Sequence, residues 1–416
     1  MRPIFEPERL FLQETLNIQL PPNTCWMNKL QIVVYTNAAQ TNSLGKVTVK
    51  GTSLSYKSTS NNSLKQPLTH QELTNLHNKQ LSQIEEESLN VVRETLAKYP
   101  NHSIRICSSE GKDSLITKYI VRKVIPNAKV LFSNTSLDTA QTYKSIKRDS
   151  NYEIVNPPEG FYQWRERINF IPSKMGRACC TMFKEGAMSD VLDKTQPYLF
   201  FYGMRNQEGH TRKDYQNEWC NEKWSTDKWV GALPIRKWSE LDVWLYIFRE
   251  KLDFNELYTY GYGRVGCIAA CPFRTPYEGV IDKEFLPTQY TRWQRILRDD
   301  FIDNGKWTLL NCTLQEYLDG AWKAGIVRDE PTQDVIEEFA IHKGLDLEIA
   351  QRYFNQACNS CGKRLKKDES GLSMKYFGRS TSVKYCIRCL SKELKCTREK
   401  LRQDVRDFKS QGCALF

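Results

Sequence analysis

Between residues 81 and 133 the apolar positions change period three times. Ile84, Leu89, Val92 and Leu96, set among glutamates, recur at near-helical spacing and predict an amphipathic helix over 81–99. Ile104 and Ile106 then alternate with polar neighbours and predict a strand at Ser103–Ser108. Leu115, Ile116, Tyr119, Ile120 and Val124 return to helical spacing until Pro126 stops them, and 128–133 predicts another strand. Strand, helix, strand in this order implies parallel pairing through a right-handed crossover. A further helix is expected from Thr139, capped by Asp138 or Thr139. Farther on, the apolar run Tyr198–Tyr202 reads as a buried strand. Ser239 with Asp242 three residues later predicts a capped helix through Leu241, Val243, Trp244, Tyr246, Ile247 and Phe248.

The expected fold class is therefore α/β, a doubly wound, mostly parallel sheet, with a small module at each end. Residues 1–80 are rich in Asn, Gln, Ser and Thr, and apolar or alternating pieces at 30–35 and 46–50 predict a β-rich or partly irregular module. A polar loop is expected over 58–63. The working division is a module over 1–80, a central domain over 81–340 and a basic C-terminal module over 341–416. Five tryptophans lie between Trp219 and Trp244, including Trp224, Trp229 and Trp238, and packing is the role assigned to most of them.

The turn between the first strand and its helix reads Ser108-Ser109-Glu110-Gly111-Lys112-Asp113-Ser114. A glycine turn there directs backbone N–H groups and the positive end of the helix at an anion. Lys112 adds a cation, and Ser109 and Ser114 add hydroxyls. Walker spacing is missing. The loop resembles the Ser-x-Gly-x-Asp-Ser loop of the PP-loop ATP pyrophosphatase superfamily, and its Lys-Asp-Ser ending is similar to the phosphoadenosine phosphosulfate reductase branch. That family carries Asp or Asn followed by Thr at the next strand end, as Asn134-Thr135 does here, then a pair such as Gln141-Thr142. Its second phosphate segment resembles Gly203-Met204-Arg205-Asn206-Gln207-Glu208 with Arg212, and Leu233 to Trp244 looks like a further family segment. Arg205 is the expected phosphate clamp, since guanidinium is planar and permanently charged, with Glu208 holding it.

The resemblance spans roughly residues 85–285. It implies that Ser108, Ser109, Gly111, Lys112, Asp113, Ser114, Asn134, Thr135, Arg205 and Arg212 bind ATP or adenosine phosphosulfate, with Lys112, Asp113 and Arg205 acting on the reaction. Mg²⁺ is compatible with that site. Glu110 stands against the pattern, because a carboxylate in a phosphate loop repels the ligand unless it points away or meets Mg²⁺.

Fourteen cysteines in a chain with no apolar signal core point to metal sites in the cytoplasm rather than secreted disulfides. No run of about 18 apolar residues suggests a membrane span. Cys179-Cys180 and Cys267-Ile-Ala-Ala-Cys271 resemble the family's four ligands of a [4Fe–4S] cluster, with one residue more in the second pair; zinc is the rival occupant. Cys358-Asn-Ser-Cys361 and Cys386-Ile-Arg-Cys389 have the spacing of a structural zinc ribbon.

The net charge of +11 is uneven, +3 over 1–85 and +9 over 358–416, which leaves −1 between. A basic tail is compatible with nucleic acid, although four thiolates on one zinc ion would offset part of the surplus. The family's reductases pass sulfur to a cysteine in a Glu-Cys-Gly-x-His motif. Here the tail offers only Gln-Gly-Cys413-Ala-Leu-Phe. Three readings follow. One is a phosphosulfate reductase-like enzyme served by a thioredoxin-like reductant. Another is an ATP-pyrophosphatase sulfurtransferase acting on nucleic acid with a sulfur-donor protein, similar to DNA phosphorothioation or tRNA thiolation enzymes. The last is a non-catalytic nucleotide or nucleic-acid binder.

Overall fold

The structure, a computed structural model, describes residues 1–59, 66–209, 212–219, 229–324, 330–354, 358–361, 365–379, 381 and 383–416. It has two compact units, Met1–Leu297 with Trp322–Ala324, and Arg298–Ala321 with Gly325–Phe416.

The first unit opens with an antiparallel sheet in the order β1 (Arg2–Pro3), β2 (Cys25–Asn28), β3 (Gln31–Tyr35), β4 (Thr41–Lys50) and β5 (Ser53–Ser58). Trp26, Ile32, Val34 and Val47 on its strands are buried. Ser58 pairs with Gly45 as the last residue of β5, which corrects the loop expected from 58; residues 60–63, like Trp224, lie outside the described residues. The ladder to β4 overrode a polar composition that by itself suggests a loop. Helix α1 (Glu6–Leu16) brings Glu8 under Arg2, which binds it through two nitrogens at 2.5 and 2.6 Å, while Tyr277 Oη donates to it at 2.6 Å. All three side chains are buried, so this ion pair ties the N-terminal sheet to the helix Pro276–Phe285.

Helices α2 (His70–Leu76) and α3 (Asn78–Lys98) lead into the second sheet. Its strands are β6 (Ser103–Ser108), β7 (Lys129–Ser133), β8 (Tyr152–Val155), β9 (Tyr198–Tyr202), β10 (Glu218–Trp219) and β11 (Trp229–Ala232), in the order β10-β11-β9-β6-β7-β8. Five strands run parallel and β10 is an antiparallel edge. On one face Leu131, Val155, Tyr198, Phe200 and Trp229 pack with Ala187. By strand alternation Leu199 and Phe201, both fully buried, serve the other face, where α4 (Lys112–Val124) lies against β6. The sheet is doubly wound, as the residue pattern predicts. Connections after β6 run outward through β7 and β8, and the chain then returns to place β9 on the opposite side of β6. The gap between β6 and β9 is a topological switch point, where open α/β sheets bind ligands.

In the second unit the described residues form helices and turns. Leu372, Leu390, Leu401 and Val405 make a small core between Lys367–Phe377, Ile387–Glu393 and Arg398–Ser410. Cys386 is the N-cap residue of Ile387–Glu393, so the second cysteine pair sits on the first turn of a helix, and no strand forms among the described residues of this unit. No described helix is long and apolar enough to cross a membrane.

Candidate functional site

The loop at the end of β6 is held open by its own serines. Ser114 Oγ donates to the Gly111 carbonyl at 2.9 Å and accepts from Ser109 N at 3.4 Å, while Ser108 Oγ accepts from Glu110 N at 3.0 Å. Gly111 takes an extended N-cap conformation, so α4 starts at Lys112. The Lys112 N–H is met at 2.8 Å by Tyr258 Oη. Gly203, just past β9, passes so close that a Cβ there would lie 2.7 Å from the Asp113 carbonyl and Ser114 N. Only glycine allows β9 and α4 to meet at this point.

That approach brings Arg205 to the loop. Asp113 is bracketed by two buried cations, with Arg205 Nε at 2.5 Å from one carboxylate oxygen and Lys112 Nζ at 3.0 Å from the other. Burial works against the Asp113 carboxylate, but Lys112 and Arg205 hold it below the usual range, so it is ionised near neutrality. Burial likewise opposes the Lys112 ammonium, and Asp113, Tyr258 and Glu240 overcome it. Glu240 lies 3.6 Å from Lys112 and accepts from the Met1 amino group at 2.6 Å. The arrangement is a helix N-terminus flanked by two fixed cations, able to receive and polarise phosphate oxygens.

Two details depart from the sequence reading. Glu208 does not grip the Arg205 guanidinium: its carboxylate accepts from the Arg205 backbone N at 3.1 Å and pairs with Arg212, whose charge is thereby spent on the turn. Asp113, 92 positions away in sequence, outcompetes the near neighbour because it shares a buried site. Glu110 is turned out of the anion's way. It sits in the left-handed region (φ 55°), and its carboxylate accepts from Ser108 Oγ at 2.9 Å, Ser145 Oγ at 2.6 Å and Tyr152 Oη, with Lys118 at 3.9 Å. Burial and Glu110 together push the Tyr152 hydroxyl well up.

At the end of β7, Asn134 Oδ1 accepts from Tyr143 Oη at 2.5 Å and Ser136 N at 2.9 Å, and Thr139 is the side-chain cap of α5 (Ala140–Ile146). Thr135 donates through Oγ1 to Asp138 at 2.7 Å, and Cys267 Sγ meets that hydroxyl at 3.7 Å. The strand end therefore joins the sheet to the cysteines. Cys179 and Cys180 lie at the head of a continuous helical stretch over 178–191, which widens into a π turn at Thr181–Glu185. The cysteine pair retains one proton: Cys179 is pushed up, first by its hydrogen bond to Cys180 and then by burial, while that bond, against burial and with Lys184 and Arg177, lowers Cys180 to about 6. Burial raises Cys267, with Lys184 opposing it. Lys184, on the π turn, is itself pushed up, first by Cys267 despite burial, then by Cys180, Cys271 and Asp138. The four central cysteines thus share one electrostatic neighbourhood around a lysine.

The tail cysteines form a tighter group. The sulfurs of Cys358, Cys361, Cys386 and Cys389 all lie within 4.8 Å of one another, and Cys361 and Cys386 are 3.7 Å apart. Sulfurs at about 2.3 Å from one tetrahedral zinc ion stand roughly 3.8 Å apart, so the group has the dimensions of a Cys₄ zinc site. Burial opposes the Cys358 thiolate, yet backbone amides of Cys386, Cys361 and Ser360 lower it to about 6.

Comparison with known proteins places this geometry. Residues 103–272 match the profile of the phosphoadenosine phosphosulfate reductase domain. That segment is a domain of this family. It begins on β6 and ends one residue past Cys271, so it contains the loop, Asn134-Thr135, Arg205 and all four central cysteines. An uncharacterized protein of Methanocaldococcus jannaschii is 28% identical over 239 residues, 55% of this chain, and the match spans only 57% of that relative's length. An adenosine 5′-phosphosulfate reductase of Lysinibacillus sphaericus is 25% identical over 205 residues, 46% of this chain and 82% of that protein. Subunit 2 of a sulfate adenylyltransferase from Aliarcobacter butzleri is 26% identical over 208 residues, 43% of this chain and 66% of that protein. The N-terminal sheet and the tail unit lie outside the reductase domain.

Sequence reasoning passed over Tyr258, Glu240 and Lys184. The first two lie about 130 to 150 positions beyond the residues they serve, and no local pattern marks them. Lys184 had a usable signal: it is four residues after Cys180, one helical turn away, on the cysteines' own helix.

Proposed function

We propose that this chain binds an adenylyl nucleotide, adenosine phosphosulfate or ATP, across Ser108, Ser109, Gly111, Lys112, Asp113 and Ser114, and breaks the bond beyond its α-phosphate to move sulfur. The observation that supports this most is Asp113 held between Lys112 and Arg205 at the parting of β6 and β9. Either bond cleavage leaves added negative charge on oxygen of the departing nucleotide or pyrophosphate. Backbone amides at the start of α4 and two cations already fixed by Asp113 stabilise that charge without further reorganisation. In this reading Asn134 and Thr135, which follow the neighbouring strand β7, contribute to nucleotide binding, and Arg212 stays paired with Glu208. Mg²⁺ on the phosphates belongs to the ATP version.

In this reading Cys179, Cys180, Cys267 and Cys271 hold a [4Fe–4S] cluster. Their shared electrostatics fit such an anionic group, because Lys184 supplies a half-buried counter-charge. A cluster bound there would bring redox-active iron and sulfide beside the nucleotide. Zinc in the same thiolates is the rival. The tail Cys₄ group holds a structural zinc ion.

A second reading, ATP-dependent sulfur transfer to nucleic acid, is favoured by the similarity to a sulfate adenylyltransferase subunit and by Cys413, which is preceded by Gly rather than Glu and followed by Ala-Leu-Phe rather than Gly-x-His. The deciding experiment pairs two assays on anaerobically purified protein. Sulfite from adenosine phosphosulfate plus thiol or thioredoxin supports the reductase, and pyrophosphate from ATP supports the transferase. If neither product appears while nucleotide binding is intact, the enzymatic reading fails in favour of a binding protein.

A further inference from the structure

From Thr15 to Gln71 the chain carries five lysines and no Asp, Glu or Arg. The fold gathers three of those lysines on one face of the β4–β5 hairpin. Strand alternation sends Val47, Val49, Leu54 and Tyr56 inward, and Tyr56 lies over Gly45 with its hydroxyl donating to the Leu44 carbonyl at 2.7 Å. Lys46, Thr48 and Lys50 on β4 and Ser53, Ser55 and Lys57 on β5 face outward, and all six are exposed. In register, Lys46 is directly opposite Lys57, Thr48 opposite Ser55, and Lys50 opposite Ser53. Like charges directly across a ladder are destabilising. Among the described residues none of these three lysines has an ion-pair partner, and Lys283 adds a fourth cation at the turn, 3.4 Å from Thr52 Oγ1. By contrast, basic side chains of the tail helix Arg398–Ser410 are interleaved with carboxylates, as in Arg402 with Glu399 and Lys409 with Asp368.

We infer that the outer face of the β4–β5 hairpin binds the phosphate backbone of nucleic acid. Ammonium and hydroxyl groups are the donors that phosphate and sugar oxygens take, and an anionic strand relieves the Lys46–Lys57 repulsion. Lys46 and Lys50 stand about 13 Å apart along an extended strand, a distance that spans several nucleotides. No apolar or aromatic side chain projects from this face, so it has nothing to insert into lipid. It also offers no Arg, Asn or Gln to read base edges, so binding is sequence-independent and steeply salt-dependent. The inference stands on the hairpin alone and is independent of the nucleotide chemistry.

The test is fluorescence anisotropy of the full chain with a labelled 24-mer duplex DNA and a single-stranded RNA of equal length, across a salt series. The variant K46Q/K50Q/K57Q should bind on the order of 100-fold more weakly at about 0.1 M salt, with the duplex salt slope reduced by roughly 2.7. K46R/K50R/K57R should restore both. Unchanged affinity and slope in the glutamine variant would overturn the inference, as would absence of binding by the unaltered chain. So would a loss that appears only when Arg398, Lys400, Arg402 and Arg406 of the tail are neutralised. Tighter association with vesicles containing phosphatidylserine than with either nucleic acid would assign the face to a membrane surface instead. None of these outcomes depends on turnover, so failure here leaves the nucleotide reading untouched.

Discussion

The chain presents four cysteines twice, and the two sets are surrounded differently. In the tail, Cys358, Cys361, Cys386 and Cys389 draw their sulfurs within 4.8 Å, backed by Leu365 and Tyr385. In the segment 103–272, Cys179, Cys180, Cys267 and Cys271 are tied to a half-buried Lys184, to Asp138 and, through Thr135, to the end of β7, one strand from the Ser108–Ser114 loop. What separates the two sets is their surroundings, Leu365 and Tyr385 in one case and the charges of Lys184 and Asp138 in the other.

The largest expected difference is in folding. Cys386→Ser, or removal of zinc by a chelator, should unfold the tail helices, because binding of a structural zinc ion contributes on the order of 10 kcal/mol to such a module. Limited proteolysis with metal analysis reads this directly. Cys267→Ser should leave proteolytic resistance intact while abolishing activity and any visible cluster absorption. If the tail variant stays protease-resistant or the central one unfolds, the division of labour is wrong.

Next in size, Lys112→Ala or Arg205→Ala should lower turnover by about 100- to 1,000-fold, as loss of a charge-stabilising donor does. The tail's metal content should stay as it was, and equal turnover in either variant would remove that cation from the reaction. Lys184→Gln should cost about 10- to 100-fold in activity or cluster retention, the usual scale for a residue one layer from a metal. A variant with full activity and an unaltered cluster spectrum would reduce Lys184 to a packing residue.

The smallest effect is a control on pH. His70, stacked on Phe248 and 3.1 Å from the Cys25 carbonyl, is held by burial at about 4, below its ordinary 6.5. The unfolded chain then takes up that proton first, so stability is full above about pH 6.5 and falls as pH drops toward 4, by about 2 kcal/mol between pH 7 and 5. His70→Gln should flatten that part of the profile in denaturant titrations. Acid sensitivity left in the variant can then be attributed to other groups, the thiols among them; an unchanged profile means His70 is not the group that titrates.

Much of the reductase domain was legible because its signals are local. β6 and β9 have the bounds that their apolar runs predict, Ser239 and Asp242 make the expected reciprocal cap, and Thr139 caps α5. Each depends on residues within one or two turns of each other. The bonds within the Ser108–Ser114 loop are equally local, since its serines bond to their own backbone. Partnerships across the chain were not. Proximity in sequence pointed from Arg205 to Glu208, while the fold gives its guanidinium to Asp113. The strand register of β4 and β5, which lines up three lysines, likewise follows from pairing and not from composition.

By itself, then, the sequence determined α3, β6, α4, β7, α5, β9 and the helix opened by Ser239, because periodicity and capping act over a few residues. Tertiary structure alone decided where Glu110 points, which acid holds Arg205, that Lys184 sits among the central thiols, and that Tyr258 and Glu240 support Lys112. Those choices depend on which side chains share a buried, low-dielectric space. There a charge takes the partner that packing brings to it, however far away that partner lies along the chain.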